Sequence, residues 1–219
     1  MRSTLYAVYG ASGCGRGVMP LARDQLRRQG IPSDWLVFVD DNPEFGIVNS
    51  HRVMRYADFV AAEETERFAV IAVANSAIRA RLADRCAAND VQSWTVSAAN
   101  VVVLDQVQLG EGAILSPFVT LTSNIHIGRH FHANLYSYVE HDCVIGDFVT
   151  FAPGVKCNGN VVIEDHAYIG AGAVIKQGRP GQPLVIGRGA VVGMGAVVNR
   201  DVPAGATVVG NPAKLLIKD

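Results

Sequence analysis

The chain has 219 residues, of which 49% are hydrophobic, and a net charge of −1 at pH 7. This composition excludes a disordered protein, and the near-neutral charge gives no electrostatic reason to expect binding to nucleic acid or to an anionic membrane. No apolar run approaches the roughly 20 residues of a membrane span, the N-terminus lacks a signal-peptide profile, and the four cysteines form no CxxC pair, so we expect a cytoplasmic protein.

Three apolar runs in the first part of the chain predict the strands of a small parallel sheet. They cover residues 5–9, 36–39 and 68–74, and a helical pattern follows the first and the third run. Strands that alternate with helices are typical of a parallel α/β sheet with short right-handed crossovers. We therefore predict a small Rossmann-like α/β domain in residues 1–96.

A glycine-rich turn, Gly10-Ala-Ser-Gly13-Cys-Gly15, follows the first predicted strand. Backbone N–H groups at the start of a helix can bind phosphate, and Asp40 and Asp41 at the end of the second strand stand where a ribose or base partner is expected. The glycine order differs from the G-x-G-x-x-G fingerprint, which disfavours a nicotinamide cofactor. We favour another nucleotide, while a tight turn that binds nothing is the structural alternative.

From Val103 onwards the sequence repeats every six residues. An aliphatic residue recurs at every sixth position as far as Ile175, and a small or aliphatic residue recurs four places after each of them. A hexapeptide repeat is typical of a parallel β-solenoid, in which three hexads, or 18 residues, close one triangular coil. Coils stack about 4.8 Å apart, with Gly, Asn and Asp expected at the corners. We predict this fold for residues 97–219.

The repeat is interrupted at residues 176–185, whose sequence KQGRPGQPLV holds two prolines and two glycines. This composition predicts an external loop, and a loop that leaves a solenoid and returns to it is usually functional. The repeat then resumes with a shifted register. Its second set of inward positions is Ile186, Val192, Val198 and Ala204.

Five histidines lie within the repeat, which raises the possibility of a metal site. His130 and His166 are 36 residues apart and therefore share a face, but Phe148 lies between them. No third histidine or cysteine completes a set of ligands. We therefore expect no metal.

His141 has a different setting, because Glu140 and Asp142 flank it at an outward position of the repeat. Carboxylates can fix the tautomer of a histidine and raise its basicity, which is what a general base needs at neutral pH. A surface histidine at a solenoid corner is an equally good interpretation of the spacing alone.

Five segments together resemble the nucleotide-sugar N-acetyltransferases of the hexapeptide class. They are YGASGCGR, VFVDD, IAVANSAIR, YVEHDCVIGD and VGNPAK, in this order. The resemblance covers nearly the whole chain, and the run from SPFVT to VKCNG looks most like the perosamine N-acetyltransferases. It implies a left-handed parallel β-helix that packs as a homotrimer, with acetyl-CoA as co-substrate and active sites shared by two chains.

The resemblance also assigns roles to individual residues. His141 matches the catalytic base, Asp142 the adjacent acid, Asn134 a residue lining the sugar pocket, and Gly159 a backbone N–H donor to the oxyanion. The nucleotide-sugar site is matched by Ser12, Gly13, Cys14, Asp40, Asp41, Ala74 and Asn75. The acetyl-CoA site is matched by Thr150, Ala171 and Met194, although some relatives carry a second histidine where this chain has Thr150.

The implied reaction is acetyl transfer from acetyl-CoA to the 4-amino group of a nucleotide-linked 4-amino-4,6-dideoxy sugar. GDP-perosamine is the favoured acceptor, in a pathway to O-antigen polysaccharide. A UDP- or dTDP-linked sugar with the same chemistry and sugar O-acetylation are the enzymatic alternatives. A sugar-nucleotide-binding scaffold without activity is a third, because a fold does not determine a function.

Overall fold

The computed structural model describes residues 4–42 and 46–216. The chain divides into two units, Met1–Ala99 and Asn100–Asp219, whose boundary lies three residues beyond the one expected between residues 96 and 97. Within the described ranges, no helix is long and apolar enough to cross a membrane.

The first unit contains a six-stranded sheet with helices. Its strands are β1 (Thr4–Tyr9), β2 (Leu36–Val39), β3 (Ile47–Val48), β4 (His51–Met54), β5 (Glu66–Ile71) and β6 (Val91–Ser93), followed by β7 (Val96–Ser97). The helices are α1 (Gly13–Arg28), α2 (Tyr56–Val60) and α3 (Ser76–Ala87), with a 3₁₀ turn at Ser33–Trp35. The sheet order is β3-β4-β2-β1-β5-β6, and every pair is parallel except β3 with β4.

The three predicted strands are present as β1, β2 and β5. The predicted third strand is too long at its end, since residues 72–74 form the turn that leads into α3. Helix α1 begins at Gly13 rather than at Val18, because the glycine-rich turn itself forms the first helical turn. The short elements β3, β4, α2 and β6 were not predicted, because runs of two to five residues are too short to show a period.

Strand β1 lies between β2 and β5, so the chain leaves β1 towards one side of the sheet and later returns on its other side. In parallel α/β sheets, ligands bind at such a switch point, in the crevice outside the carboxyl ends of the strands. The glycine-rich turn after β1, the acidic pair after β2 and the turn after β5 all lie at this edge.

The second unit is a solenoid whose strands form three faces. The first face contains β10 (Ile114–Leu115), β13 (His132–Ala133), β16 (Thr150–Phe151), β19 (Tyr168–Ile169), β22 (Val191–Val192) and β24 (Thr207–Val209). The second contains β8 (Val102–Val103), β11 (Thr120–Leu121), β14 (Tyr138–Val139), β17 (Lys156–Cys157), β20 (Val174–Ile175) and β23 (Val197–Val198). The third contains β9 (Val107–Leu109), β12 (Ile125–Ile127), β15 (Val144–Ile145), β18 (Val161–Ile163) and β21 (Leu184–Ile186). Strand β25 (Lys214–Leu215) ends the described chain and pairs with β24 in antiparallel orientation.

The predicted coil of 18 residues is confirmed by the strand register. On the second face Thr120 pairs with Tyr138, and Tyr138 pairs with Lys156. The predicted inward aliphatic series is buried from Leu115 to Ile175 and forms one continuous core. Val103 is an exception with 51% of its surface exposed, because β8 is the last strand of its sheet and no earlier coil covers it.

The expected occupancy of the corners is only partly right. Every sixth residue from Gln106 to Gly172 has a positive φ, and this left-handed conformation is taken by aromatic residues and histidines as well as by Gly, Asn and Asp. It costs an ordinary residue about 1–2 kcal/mol. Stacked rings offset part of that cost, as between Phe118 and Tyr136, whose ring centroids are 4.9 Å apart and nearly coplanar in orientation.

The external loop leaves the solenoid at the corner between the second and third faces. It covers residues 176–183, so the prediction of 176–185 is two residues too long, and Leu184 and Val185 belong to β21. Across the loop the pairing distance rises to 23 residues, as between Val174 and Val197. The other two faces continue in register on either side of it.

The last coil is shorter than the sequence pattern indicates. Ile186 bridges to Val202, only 16 residues further on, and Val192 pairs with Val208 at the same separation. The prediction that Ala204 points inward is therefore wrong: Ala204 is exposed, and Val208 takes the buried position.

The close approach of α1 to the turn after β1 gives a test of the fold. A Cβ at Gly15 would overlap the carbonyl oxygen of Gly10, whereas a Cβ at Gly13 would meet nothing within 4 Å. We expect Gly15→Ala to lower the free energy of unfolding by about 2 kcal/mol, because helix and strand must separate. Gly13→Ala, the matched control, should leave it unchanged. Urea unfolding measures both, and equal losses would contradict the packing described.

Candidate active site

The glycine-rich turn is held open by the acidic residue at the end of the neighbouring strand. Gly10 has a φ of +110°, and the N–H of Ala11 donates to Asp40 Oδ2 at 2.8 Å. Ser12 is the N-cap residue of α1, and its side chain makes no capping hydrogen bond. The first helical N–H groups of α1 lie just beyond it, and the space beside Gly13 is open. This is the backbone arrangement that binds phosphate at helix N-termini.

The second carboxylate of the acidic pair is tied to α3 and α2. Asp41 accepts hydrogen bonds from Arg85 Nη1 at 2.8 Å and from the N–H of Tyr56 at 2.9 Å. Partial burial raises the pKa of Asp41, but these hydrogen bonds outweigh it, so the pKa lies below its ordinary value. The guanidinium of Arg85 also lies over the Tyr56 ring, 3.9 Å from its centroid. Asp41 is therefore a fixed anion at the edge of the sheet.

The turn after β5 is organised by a buried arginine that sequence reasoning missed. Arg79 is fully buried, and its Nη1 donates to the carbonyl oxygens of Val73 at 2.7 Å and Ala74 at 3.2 Å. Burial lowers the pKa of Arg79 to about 10. Asn75 is the N-cap residue of α3 and accepts the N–H of Ile78 at 2.9 Å. Nothing in the pattern of α3 distinguishes Arg79 from its exposed arginines.

All residues predicted to bind the nucleotide sugar lie at this carboxyl edge of the first unit. They are Ser12, Gly13, Cys14, Asp40, Asp41, Ala74 and Asn75, on the turns that follow β1, β2 and β5. Cys14 is partly buried, and burial raises the pKa of its thiol. Their shared position is the result of the parallel sheet order.

In the second unit, His141 and Asp142 lie at the corner between the second and third faces. The Nδ1 atom of His141 is 2.8 Å from Asp142 Oδ2. A carboxylate can only accept, so Nδ1 carries the proton and Nε2 of the neutral ring is free to accept another. The imidazole is 52% exposed. The hydrogen bond to Asp142 raises the pKa of His141 above its ordinary value of 6.5, and it does so more than Glu140, which acts only as a nearby charge.

Gly159 lies directly against the His141 ring, one coil further along. A Cβ at this position would be 2.6 Å from Cε1 and 2.7 Å from Nε2 of the imidazole, so only glycine fits. Its carbonyl oxygen accepts the N–H of Gly178 at 3.0 Å. Among residues 4–42 and 46–216, the N–H of Gly159 donates to no acceptor. A base and a backbone donor thus lie side by side.

The external loop rises from this same corner. Gly178 N–H, at the start of the loop, bonds to Gly159, and the N–H of Leu184 at its end donates to the carbonyl of Asn160 at 3.2 Å. Arg179 and Gln182 close the loop as a two-residue antiparallel bridge. We call residues 140–143, 158–160 and 176–183 the His141 corner. The loop covers the side of Gly159 that faces away from His141.

The remaining predicted residues of the second unit lie elsewhere on the solenoid. Asn134, Ala171 and Met194 lie at the corner between the first and second faces, which we call the Met194 corner. There Ala171 and Met194 occupy adjacent coils, and the N–H of Gly195 donates to the carbonyl of Ala171 at 2.8 Å. Met194 is 82% exposed. Thr150 lies on the first face and is buried. One chain therefore does not bring these residues to His141.

The structure also shows how the paired histidines are arranged. The rings of His130, Phe148 and His166 form a stack with centroid distances of 5.1 and 5.2 Å. Phenylalanine separates the two imidazoles, as the spacing indicated. In the part of the chain that is described, no group of three or more His, Cys, Asp or Glu residues could hold a metal ion.

Comparison with known proteins gives close relatives across nearly the full length. The GDP-perosamine N-acetyltransferase of Escherichia coli O157:H7 is 53% identical over 211 residues, which cover 96% of this chain and 95% of that protein. The solved structure of WeeI from Acinetobacter baumannii AYE is 54% identical, covers 98% of this chain and 100% of its own, and superposes with a TM-score of 0.95.

A more distant solved structure shows a member of this fold with the acetyl donor. The acetyltransferase domain of PglB from Neisseria gonorrhoeae FA1090, in complex with acetyl coenzyme A, is 29% identical. It covers 99% of this chain and 100% of its own, with a TM-score of 0.84. No family model matches the chain. On the full-length identity to the Escherichia coli enzyme, this chain belongs to the GDP-perosamine N-acetyltransferase family of hexapeptide-repeat acyltransferases.

Proposed function

We propose that this protein transfers the acetyl group of acetyl-CoA to the 4-amino group of GDP-perosamine. The observation that carries the proposal is the His141 corner, where a histidine oriented by Asp142 lies against the backbone of Gly159. Amide formation from an amine and a thioester needs a proton acceptor and an oxyanion donor, and this corner offers both. The 53% identity to a GDP-perosamine N-acetyltransferase supports the choice of acceptor.

The reaction follows from these two groups. The sugar amine attacks the thioester carbonyl carbon, a C–N bond forms, and the carbonyl oxygen becomes an oxyanion that the N–H of Gly159 stabilises. Nε2 of His141 takes the proton that the amine loses, while Asp142 stabilises the resulting imidazolium through Nδ1. The intermediate then collapses, the C–S bond breaks, and the thiolate of CoA takes the proton from His141. The products are the N-acetylated sugar nucleotide and CoA.

The first unit supplies the nucleotide site in this proposal. Its sheet resembles the Rossmann type in having parallel strands and a glycine-rich turn, and the open N–H groups after Ser12 suit a diphosphate. Asp40 and Asp41, both already fixed by protein donors, provide acceptors for the ribose or the base. Ala74 and Asn75 complete the edge of the crevice. Residues 1–96 thus bind the acceptor, and residues 97–219 carry the transfer.

We further propose that the solenoid is left-handed and assembles as a homotrimer with shared active sites. Asn134, Ala171 and Met194 lie at a different corner from His141, so a site containing all of them requires the Met194 corner of one copy to face the His141 corner of another. Exposed aromatic rings of Phe118 and Tyr136 at the Met194 corner favour such a contact. The CoA arm would lie between these corners, with the 176–183 loop along one side.

The first prediction concerns the base. We expect His141→Asn to lower kcat by about 10²–10⁴ and to leave both KM values nearly unchanged, because the imidazole acts in the transition state. Since the hydrogen bond from Asp142 raises the pKa of His141, the imidazole loses its proton only at higher pH. The kcat of the wild-type enzyme should therefore rise with pH along a limb centred above 6.5, and Asp142→Asn should move that limb to lower pH.

Asp147→Asn is the control for this experiment. Asp147 pairs with Arg129 at a different corner, with 2.9 Å between Nε and Oδ2. Its loss should not move the limb. A His141→Asn enzyme with near-normal turnover would place the base at another residue.

The trimer is tested by subunit mixing. His141→Asn damages the His141 corner, and Met194→Asp, a charge at the exposed Met194 side chain, damages the other corner. If two copies form each site, mixed trimers contain some sites free of both changes, so activity should reappear when the two inactive variants are refolded together. Light scattering should give three chains per particle. An active monomer, or mixtures as inactive as their components, would contradict a shared site.

The acceptor is tested by measuring kcat/KM for GDP-, UDP- and dTDP-linked 4-amino-4,6-dideoxy sugars side by side. We expect the GDP sugar to lead by at least tenfold, which is about 1.4 kcal/mol of transition-state binding. The opposite order would overturn the perosamine assignment and leave the acetyltransfer intact. Faster reaction of the 4-hydroxy analogue would instead indicate O-acetylation, and no turnover of any sugar would indicate a scaffold.

A further inference from the structure

Asn158, the residue before Gly159, is held by its side chain at both ends. Its Oδ1 accepts the hydroxyl proton of Tyr138 at 3.0 Å, and its Nδ2 donates to the carbonyl oxygen of Ile175 at 2.8 Å. Because a carbonyl can only accept, the bond to Ile175 fixes which end of the amide is the nitrogen. The side chain therefore spans three successive coils of the second face.

The backbone of Asn158 is held as well. The Sγ atom of Cys143, which is fully buried, lies 3.3 Å from the carbonyl oxygen of Asn158. This carbonyl belongs to the same peptide group as the N–H of Gly159. A hydrogen bond at the oxygen of a peptide group polarises it and makes its N–H a better donor. The peptide that faces His141 is thus fixed from the side chain and from the backbone.

Part of this arrangement is a general feature of the solenoid. Asn134 makes the same bond to the next coil, from Nδ2 to the carbonyl oxygen of Phe151 at 2.7 Å. The bond from Tyr138 has no such repeat, and it fixes the residue whose peptide carries the N–H beside the base. Structure alone does not require it, because the two strands are already paired through their backbones.

We propose that Asn158 and Tyr138 are positioning residues for the acetyl transfer. They hold the Asn158–Gly159 peptide so that its N–H lies at hydrogen-bond distance from the oxyanion of the tetrahedral intermediate. The inference rests on the proposed function, in which Gly159 is the donor. An oxyanion donor works because it is fixed in place before the charge develops, and loss of one such donor costs about 10²–10³ in rate. A donor that is present but loosely held loses part of this factor.

Tyr138→Phe and Asn158→Ala test the proposal. Tyr138→Phe removes one hydroxyl and keeps the ring, so the fold should be unaffected. We expect kcat to fall about tenfold in Tyr138→Phe and about 10–10² in Asn158→Ala. Both KM values and the pH limb set by His141 should stay unchanged, since neither the bound ground state nor the base is altered. The double variant should be no slower than Asn158→Ala, because Tyr138 acts through Asn158.

Tyr168→Phe is the matched control, because Tyr168 is an exposed tyrosine on the first face, away from this corner. It should leave kcat unchanged. Thermal unfolding of each variant separates loss of fold from loss of rate, and Tyr138→Phe decides the matter if Asn158→Ala does not fold. A Tyr138→Phe enzyme with wild-type kcat, a rise in KM alone, or additive losses in the double variant would overturn the positioning role. His141→Asn, measured alongside, tests the proposed function separately: if it stays active, the function fails whatever the tyrosine variant does.

Discussion

The backbone hydrogen bond from one coil to the next is the interaction on which the second unit depends. The N–H of Tyr138 donates to Val155 at 3.0 Å and that of Glu140 to Cys157 at 2.9 Å, and equivalent bonds recur along each face. These bonds require each coil to contribute the same number of residues, so that position n always lies under position n+18. Gly159 meets the His141 ring for this reason, and Asn158 bridges Tyr138 and Ile175 for the same reason. The geometry of the site is therefore a consequence of coil length.

Faces and corners follow different rules under this constraint. The faces fill a narrow triangular core, so their inward side chains are aliphatic or small and buried almost without exception. The corners turn the chain towards solvent and tolerate rings, charges and insertions. Five additional residues enter between β20 and β21 without disturbing the pairing of the first and second faces. The site residues of the second unit accordingly lie mainly at corners, where the core does not dictate side-chain identity.

The sequence predicted the periodic parts of the fold best. The 18-residue coil, the buried series and the carboxylate beside His141 all follow from spacing, because a regular lattice turns sequence distance into spatial distance. Aperiodic features were missed. The left-handed conformation of Phe118 and Tyr136 depends on ring stacking between coils, and the short last coil depends on where the chain end packs. Arg79 and Asn158 act through carbonyl groups that are distant in sequence, and no local pattern marks such partners. The roles assigned to the site residues rest on family resemblance, which neither spacing nor geometry replaces.

The antiparallel pairing of β25 with β24 has a consequence for the state of the protein in solution. A parallel solenoid ends in a row of unpaired peptide groups that has the same spacing as its own first coil, and such an edge can template the addition of another molecule end to end. Val208 pairs with Leu215 and Val209 with Lys214, so the final strand runs against the direction of all the others. A second solenoid cannot continue a parallel stack across a strand of opposite polarity. The reversal thus limits growth along the solenoid axis, which would otherwise lead to fibres, and leaves lateral contacts as the route to assembly.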